Sequence, residues 1–288
     1  MFPAIPAAPH LLKSSDQQTV KLWQAMPGNH RGETVEVSAS LMSELQTAQS
    51  VLDITKEHLS FGPGNGKSAF MLTRGQNYQR EVAARHVRDA DFRGDNQAIV
   101  KSALAAQTGN CGENSALTMA YLSAMELDRP IATYAAANNP DHQFNVIGDL
   151  RMPGEAVVVD AWPVFARAHL MNNAQFQPDT SRPLDIHMPG MPPKMELDQM
   201  GEITPLSEER IAHINQRKQT PGYEQALADP SRVRLFERNH GMVNLDVRYQ
   251  NRDNSQEVHE NVANREEYER QAYGTQLARQ HLRNTDGE

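Results

Sequence analysis

The chain has 288 residues, 39% of them hydrophobic and 22% charged, and a formal net charge of −8. That length suits one large domain or two modest ones, and the acidic balance argues against nucleic acid or an anionic membrane as partner, because phosphate-rich surfaces demand clustered Lys and Arg. The single cysteine excludes an internal disulfide and a thiolate-cluster zinc site, and with no apolar run of about eighteen residues no membrane span is expected.

Residues 1–34 are rich in Pro, Ala, Ser and Gln and read as a disordered leader rather than a cleavable secretory signal. Such a leader suits export without cleavage, and a secretion chaperone is a possible partner there. From Glu33 to about Ser60, Val37, Leu41, Leu45, Val51, Leu52 and Ile54 recur at three- and four-residue steps, which predicts a helix. Gly and Pro in Phe61–Ser68 break it. Further helices are expected over Arg74 to Asp91, Asn96 to Ala106 and Cys111 to Glu126. Three strand-like runs follow, Ile131–Ala137, Gln143–Gly148 and Ala156–Trp162, separated by the turn signals Asn138-Asn139-Pro140-Asp141 and Met152-Pro153-Gly154-Glu155. A long Pro- and Met-bearing loop spans Asn172 to Pro205. Its Met188, Met191, Met195 and Met200 read as loop filler or, less simply, as the cover of a groove. Interrupted polar helices are expected over Ser207–Arg217, Tyr223–Ala228 and Glu257–Arg283. The predicted division is an N-terminal helical region at 35–94, a core at 95–171, the loop at 172–206 and a C-terminal polar helical region at 207–288. Helices followed by antiparallel strands predict the α+β class.

Three segments carry chemistry. In Gln107-Thr108-Gly109-Asn110-Cys111-Gly112-Glu113, Asn110 is a good N-cap type and Glu113 stands three residues on, so Cys111 falls at the first helical position. Unsatisfied N–H groups and the helix dipole favour an anion there, as a thiolate nucleophile requires. Gly109 and Gly112 leave the sulfur accessible. In Asp141-His142-Gln143-Phe144, His142 stands where a turn enters a strand, and alternation places it on one face with Phe144 and Val146. In Val157-Val158-Val159-Asp160-Ala161-Trp162, an acid ends a buried apolar run and needs a partner. His142 and Asp160 lie eighteen residues apart, which fits two adjacent antiparallel strands. Each residue alone has a structural explanation, but a lone Gly-flanked cysteine, then the histidine, then the buried acid form the order of a nucleophile, base and orienting carboxylate.

These motifs resemble the papain-like and transglutaminase-like cysteine enzymes, and most of all bacterial type III effectors of the AvrPphE (HopX) and YopT kinds. The resemblance covers about residues 95–170. It implies an α+β papain-like core, with the cysteine helix packed on a short antiparallel sheet that bears the histidine and the acid. It also implies Cys111 as nucleophile, His142 as base and acid, and Asp160 as the orienting group. Papain-like enzymes place an oxyanion glutamine six residues before the cysteine; this chain has Ala105 there and Gln107 only four before. The Cys111 backbone N–H is then the surer donor, with Gln107, Asn110 and Gly112 as further oxyanion or substrate candidates. Trp162 matches a tryptophan common just after the acid, or serves core packing. The implied activity is attack on an amide of a protein of a host cell, the chain itself being delivered into the host cytoplasm or kept in the bacterial one. Water or an amine at the thioester makes it a protease, glutamine deamidase or transglutaminase. The alternative is a non-catalytic interaction protein of the same fold.

Two motifs are expected to be silent. Gly62-Pro63-Gly64-Asn65-Gly66-Lys67-Ser68 lacks the first glycine of a phosphate loop and reads as an exposed turn. His187, His213, His240, His259 and His281 lie in polar sequence without i, i+4 pairing, so no metal and no cofactor is expected.

Overall fold

The computed structural model describes residues 19–21, 33–137, 139–163, 166–174, 177–235, 247–260 and 262–264. Most of the predicted leader, and residues 265–283 of the last predicted helix, lie outside them. Strand β1 (Thr19–Lys21) pairs antiparallel with β10 (Val262–Asn264).

The first half of the chain is helical. Strand β2 (Glu33–Val37) is followed by α1 (Ala39–His58), where Ser38 caps the helix by accepting from the Leu41 N–H at 3.3 Å. The predicted helix therefore starts six residues late. Thr34, Val35 and Val37 favour extended backbone, and the chain uses them in a strand parallel to β8 (Val247–Asn251). Helix α1 buries Leu41, Met42, Leu45, Ala48, Val51 and Leu52 along one stripe. Then come α2 (Lys67–Leu72), α3 (Gln76–Ala90), α4 (Ala98–Ala106) and α5 (Cys111–Ser123).

The main sheet has strands β3 (Ile131–Ala136), β4 (Asn139–Ile147), β5 (Val157–Val159), β6 (His169–Leu170) and β7 (Asp185–His187), all antiparallel, in the order β6-β5-β4-β3-β7. This is an α+β architecture. Val157 and Val159 face α1 and α5, while Val158 packs with Phe144, Val146 and Met171 on the other face. The three-valine run is thus buried on both sides, which explains its lack of alternation. Each such side chain contributes about 1.5–3 kcal/mol by leaving water. Helix α5 is fixed to the sheet by a buried polar chain. Thr133 donates to Asn145 at 2.6 Å, and Asn145 donates to the Ser115 carbonyl at 2.8 Å.

The Pro- and Met-bearing stretch is more ordered than expected. It holds the edge strand β7 and α6 (Leu197–Gly201), and Met195 and Met200 are core residues, while Met188 and Met191 are exposed. Helices α7 (Glu208–Lys218) and α8 (Tyr223–Ala228) lie where periodicity predicts them. Glu257 onwards does not begin a helix. Val258–Glu260 forms β9 on β8, because His259 is drawn inward to stack on Tyr249 and donate to the Ala168 carbonyl at 2.7 Å. Burial, with Arg167 adding to it, pushes His259 down to about 3, so it is a neutral core residue rather than a surface histidine. His187 is buried too.

Among the described residues no helix is long and apolar enough to cross a membrane, and no cluster of His, Cys, Asp and Glu is arranged to hold a metal ion.

Candidate active site

Helix α5 starts where the sequence places it, with Asn110 extended at the N-cap and Cys111 first in the helix. The Asn110 N–H donates to the Glu113 carboxylate at 2.9 Å. Glu113 is tied in turn to Arg88 at 3.2 Å. The Asn110 side chain is engaged elsewhere: its amide donates to Glu81 on α3. Glu81 is raised to about 7, mainly by burial and partly by Glu113, against the pull of Arg85 and Asn110. Gly109 has a steric reason, since a Cβ there would stand 2.4 Å from the Glu113 Cβ. At Gly112 the nearest atom to a Cβ would be the Gln143 amide nitrogen at 3.8 Å, an ordinary contact, so the packing makes no demand for glycine there.

The sequence places His142 and Asp160 on neighbouring strands, and they are. The β4–β5 ladder ends with Asn145 opposite Val159, and Asp160 follows directly, two residues along from Val158. The His142 Nε2 and an Asp160 oxygen are 2.8 Å apart, both groups buried. The His142 ring stacks on Phe144 at 6.1 Å, as alternation requires.

That face is not the one α5 covers; the helix meets the sheet through Gln143, Asn145 and Ile147. His142 reaches Cys111 because β4 is irregular. Its register on β3 jumps from Gln143 to Asn139, leaving Pro140, Asp141 and His142 bulged beside the start of α5. The Cys111 thiol donates to the Asp141 carbonyl at 3.2 Å, which sets the sulfur beside the residue that precedes His142. Burial alone would lower His142, but the Asp160 charge and hydrogen bond, with Cys111 adding to them, push it up to about 10.

Trp162 closes the pair from one side. Its ring stands edge-on to His142 at 5.5 Å, and its backbone N–H donates to the second Asp160 oxygen at 3.1 Å. Gln107 is placed differently from expectation. It caps α4 in a left-handed conformation, and its side-chain oxygen accepts from Arg80 at 3.4 Å. Its observed part is to lock the turn between α4 and α5.

Two residues escaped the sequence reading. The Phe61–Gly66 loop is no exposed turn: Phe61, Pro63, Gly64 and Gly66 are buried. Phe61 N–H donates to the Gln107 carbonyl at 3.1 Å, Gly64 N–H to Gly109 at 3.2 Å, and Thr108 to the Gly62 carbonyl at 2.7 Å. Asn65 at its tip accepts from the Trp162 indole at 2.9 Å. An apolar Phe61 opening a glycine-rich loop was the available sign of burial. Lys56 on α1 donates to the Pro163 carbonyl just past the acid, and burial pushes it down to about 7 against the pull of Asp160. Nothing in the helical pattern distinguishes it.

Comparison with protein-family models, curated proteins and solved structures finds no match to this chain.

Proposed function

We propose that this chain is a cysteine-nucleophile acyl-transfer enzyme with a papain-like core, in which Cys111, His142 and Asp160 cleave an amide. One observation carries the reading. The sulfur at a helix start is hydrogen-bonded to the Asp141 carbonyl, one residue before an imidazole that is itself paired with a buried carboxylate at 2.8 Å.

In the reaction the Cys111 sulfur attacks the amide carbonyl carbon as the thiolate, its proton already resting on His142, whose ring stays protonated across neutral pH. Collapse of the adduct breaks the C–N bond, the amine leaves with the proton from His142, and a thioester remains on Cys111. Asp160 holds the ring and its charge throughout. Water or an amine then attacks the thioester, giving a protease, deamidase or transglutaminase according to the acyl group and the acceptor. The sequence resemblance is what supports a host-cell protein as substrate and delivery of the chain as an effector.

The test is a peptidyl or glutaminyl chloromethyl ketone, with the adduct mapped by mass spectrometry. The expected result is a single adduct on Cys111, formed faster than with the unfolded chain and slowed by His142→Ala. A rate equal to that of the unfolded chain defeats the enzyme reading and leaves the non-catalytic one.

A further inference from the structure

The loop that resembles a phosphate loop has a better-defined chemical part. Its backbone is seated on the segment leading into Cys111 by the Gly64–Gly109 hydrogen bond. From behind it is held by the buried Asn77, which donates to the Pro63 carbonyl at 2.7 Å and the Gly64 carbonyl at 3.2 Å. Asn65 therefore projects from a fixed frame, between the Gly109 turn and Trp162.

The orientation of its amide is also fixed. An indole N–H only donates, so the atom 2.9 Å from Trp162 Nε1 must be the Asn65 oxygen. A flipped amide would set two donors against each other. The Nδ2 end of Asn65 is thereby left free, and among the described residues it has no acceptor. The Cys111 backbone N–H, at the first position of α5, has none either.

We propose that Asn65 Nδ2 and the Cys111 N–H form the oxyanion hole of this site, with Asn65 a catalytic residue; this rests on the acyl-transfer reading above. When the Sγ–C bond forms, the carbonyl π pair moves onto oxygen, and the two N–H groups receive that charge. When the C–N bond breaks, the pair returns and the carbonyl re-forms. Trp162 then has two tasks: its ring covers the His142–Asp160 pair, and its N–H sets the donor.

Two reagents separate this proposal from the reading beneath it. p-Nitrophenyl acetate acylates a cysteine through a tetrahedral oxyanion, whereas iodoacetamide alkylates it with no oxyanion. Both rates are measured on the full chain, its Asn65→Asp and Asn65→Ala variants and Cys111→Ser, with near-UV circular dichroism to check the fold. Asn65→Asp keeps an oxygen for the indole and removes the donor, so a purely structural asparagine tolerates it. The expected result is acylation slowed by about 10²-fold in both variants, with alkylation within about twofold of wild type. Acylation unchanged in either folded variant overturns the proposal. So does an equal loss in both reactions, which assigns Asn65 to loop packing. A wild-type chain no more reactive than Cys111→Ser towards both reagents overturns the site itself, and this assignment with it.

Discussion

Replacing Asp160 by asparagine tests the electrostatic centre of the site with almost no change of shape. One side-chain oxygen remains for the Trp162 N–H, but an NH₂ group now faces His142 Nε2, which sits 2.8 Å from the present carboxylate. That nitrogen must become an acceptor, so the ring keeps a single proton, on Nδ1, and is neutral. The proton of the sulfur no longer rests on it, and acyl transfer should fall about 10²–10⁴-fold. The rise of His142 from its ordinary 6.5 to about 10, at 1.36 kcal/mol per pKa unit, sets a ceiling of about 5 kcal/mol. Burial opposes the charge and Cys111 shares in it, so about 3 kcal/mol is the expected loss on breaking the pair at pH 6. The folded pKa lies above the unfolded one. The stabilisation is therefore complete below about pH 6.5 and drains away as pH climbs through about 10. Imidazole NMR titration, assigned with His142→Gln, should show His142 protonated across neutral pH in the wild type. In Asp160→Asn, burial is no longer offset and the ring should titrate below 6.5. Denaturant midpoints should separate the two proteins most at pH 6 and bring them together near pH 10. A wild-type His142 that titrates near 6.5, or a stability gap that widens with pH, refutes the reasoning.

Two other perturbations probe the frame. Asn145→Ala removes the link between Thr133 and the Ser115 carbonyl; it should cost about 1–3 kcal/mol in urea denaturation and slow Cys111 alkylation, because α5 loses its polar anchor to the sheet. Phe144→Ala empties a fully buried site under the His142 ring; about 3–5 kcal/mol of destabilisation is expected by thermal unfolding, with a broadened His142 resonance in the variant that remains folded.

The elements around the site were legible because their signals are local. A capping pair marks the start of α5, and alternation with turn residues marks β3 to β5. The errors share a physical cause, which is pairing with remote partners. Glu33–Val37 becomes a strand because β8, more than two hundred residues away, offers it an edge. His259 points inward because Tyr249 and the Ala168 carbonyl await it. Neither partner is visible within a window of helical or strand periodicity, and each competing local pattern was weak. The bulge that delivers His142 to the sulfur was hidden for the same reason. Regular alternation predicts its face correctly, yet only the slipped register on β3 brings that face round to Cys111.

The difference between the legible and the hidden parts of the site follows from what each has to do. Proton transfer needs residue types that are scarce in a buried strand or at a helix start, so a lone cysteine, a histidine and an acid stand out wherever the chain puts them. Holding an oxyanion needs only an N–H aimed correctly, which any asparagine supplies once its amide is pinned. A spacing rule tied to the cysteine looks at Ala105 and Gln107, and the structure gives Gln107 to Arg80 instead. Asn65, 46 residues upstream, comes to the site because a buried asparagine on α3 and a carbonyl at Gly109 hold its loop in place, and an indole turns its amide. If both assignments hold, conservative changes at Asn77 and Trp162 should depress ester acylation more than iodoacetamide alkylation, although neither residue touches the sulfur.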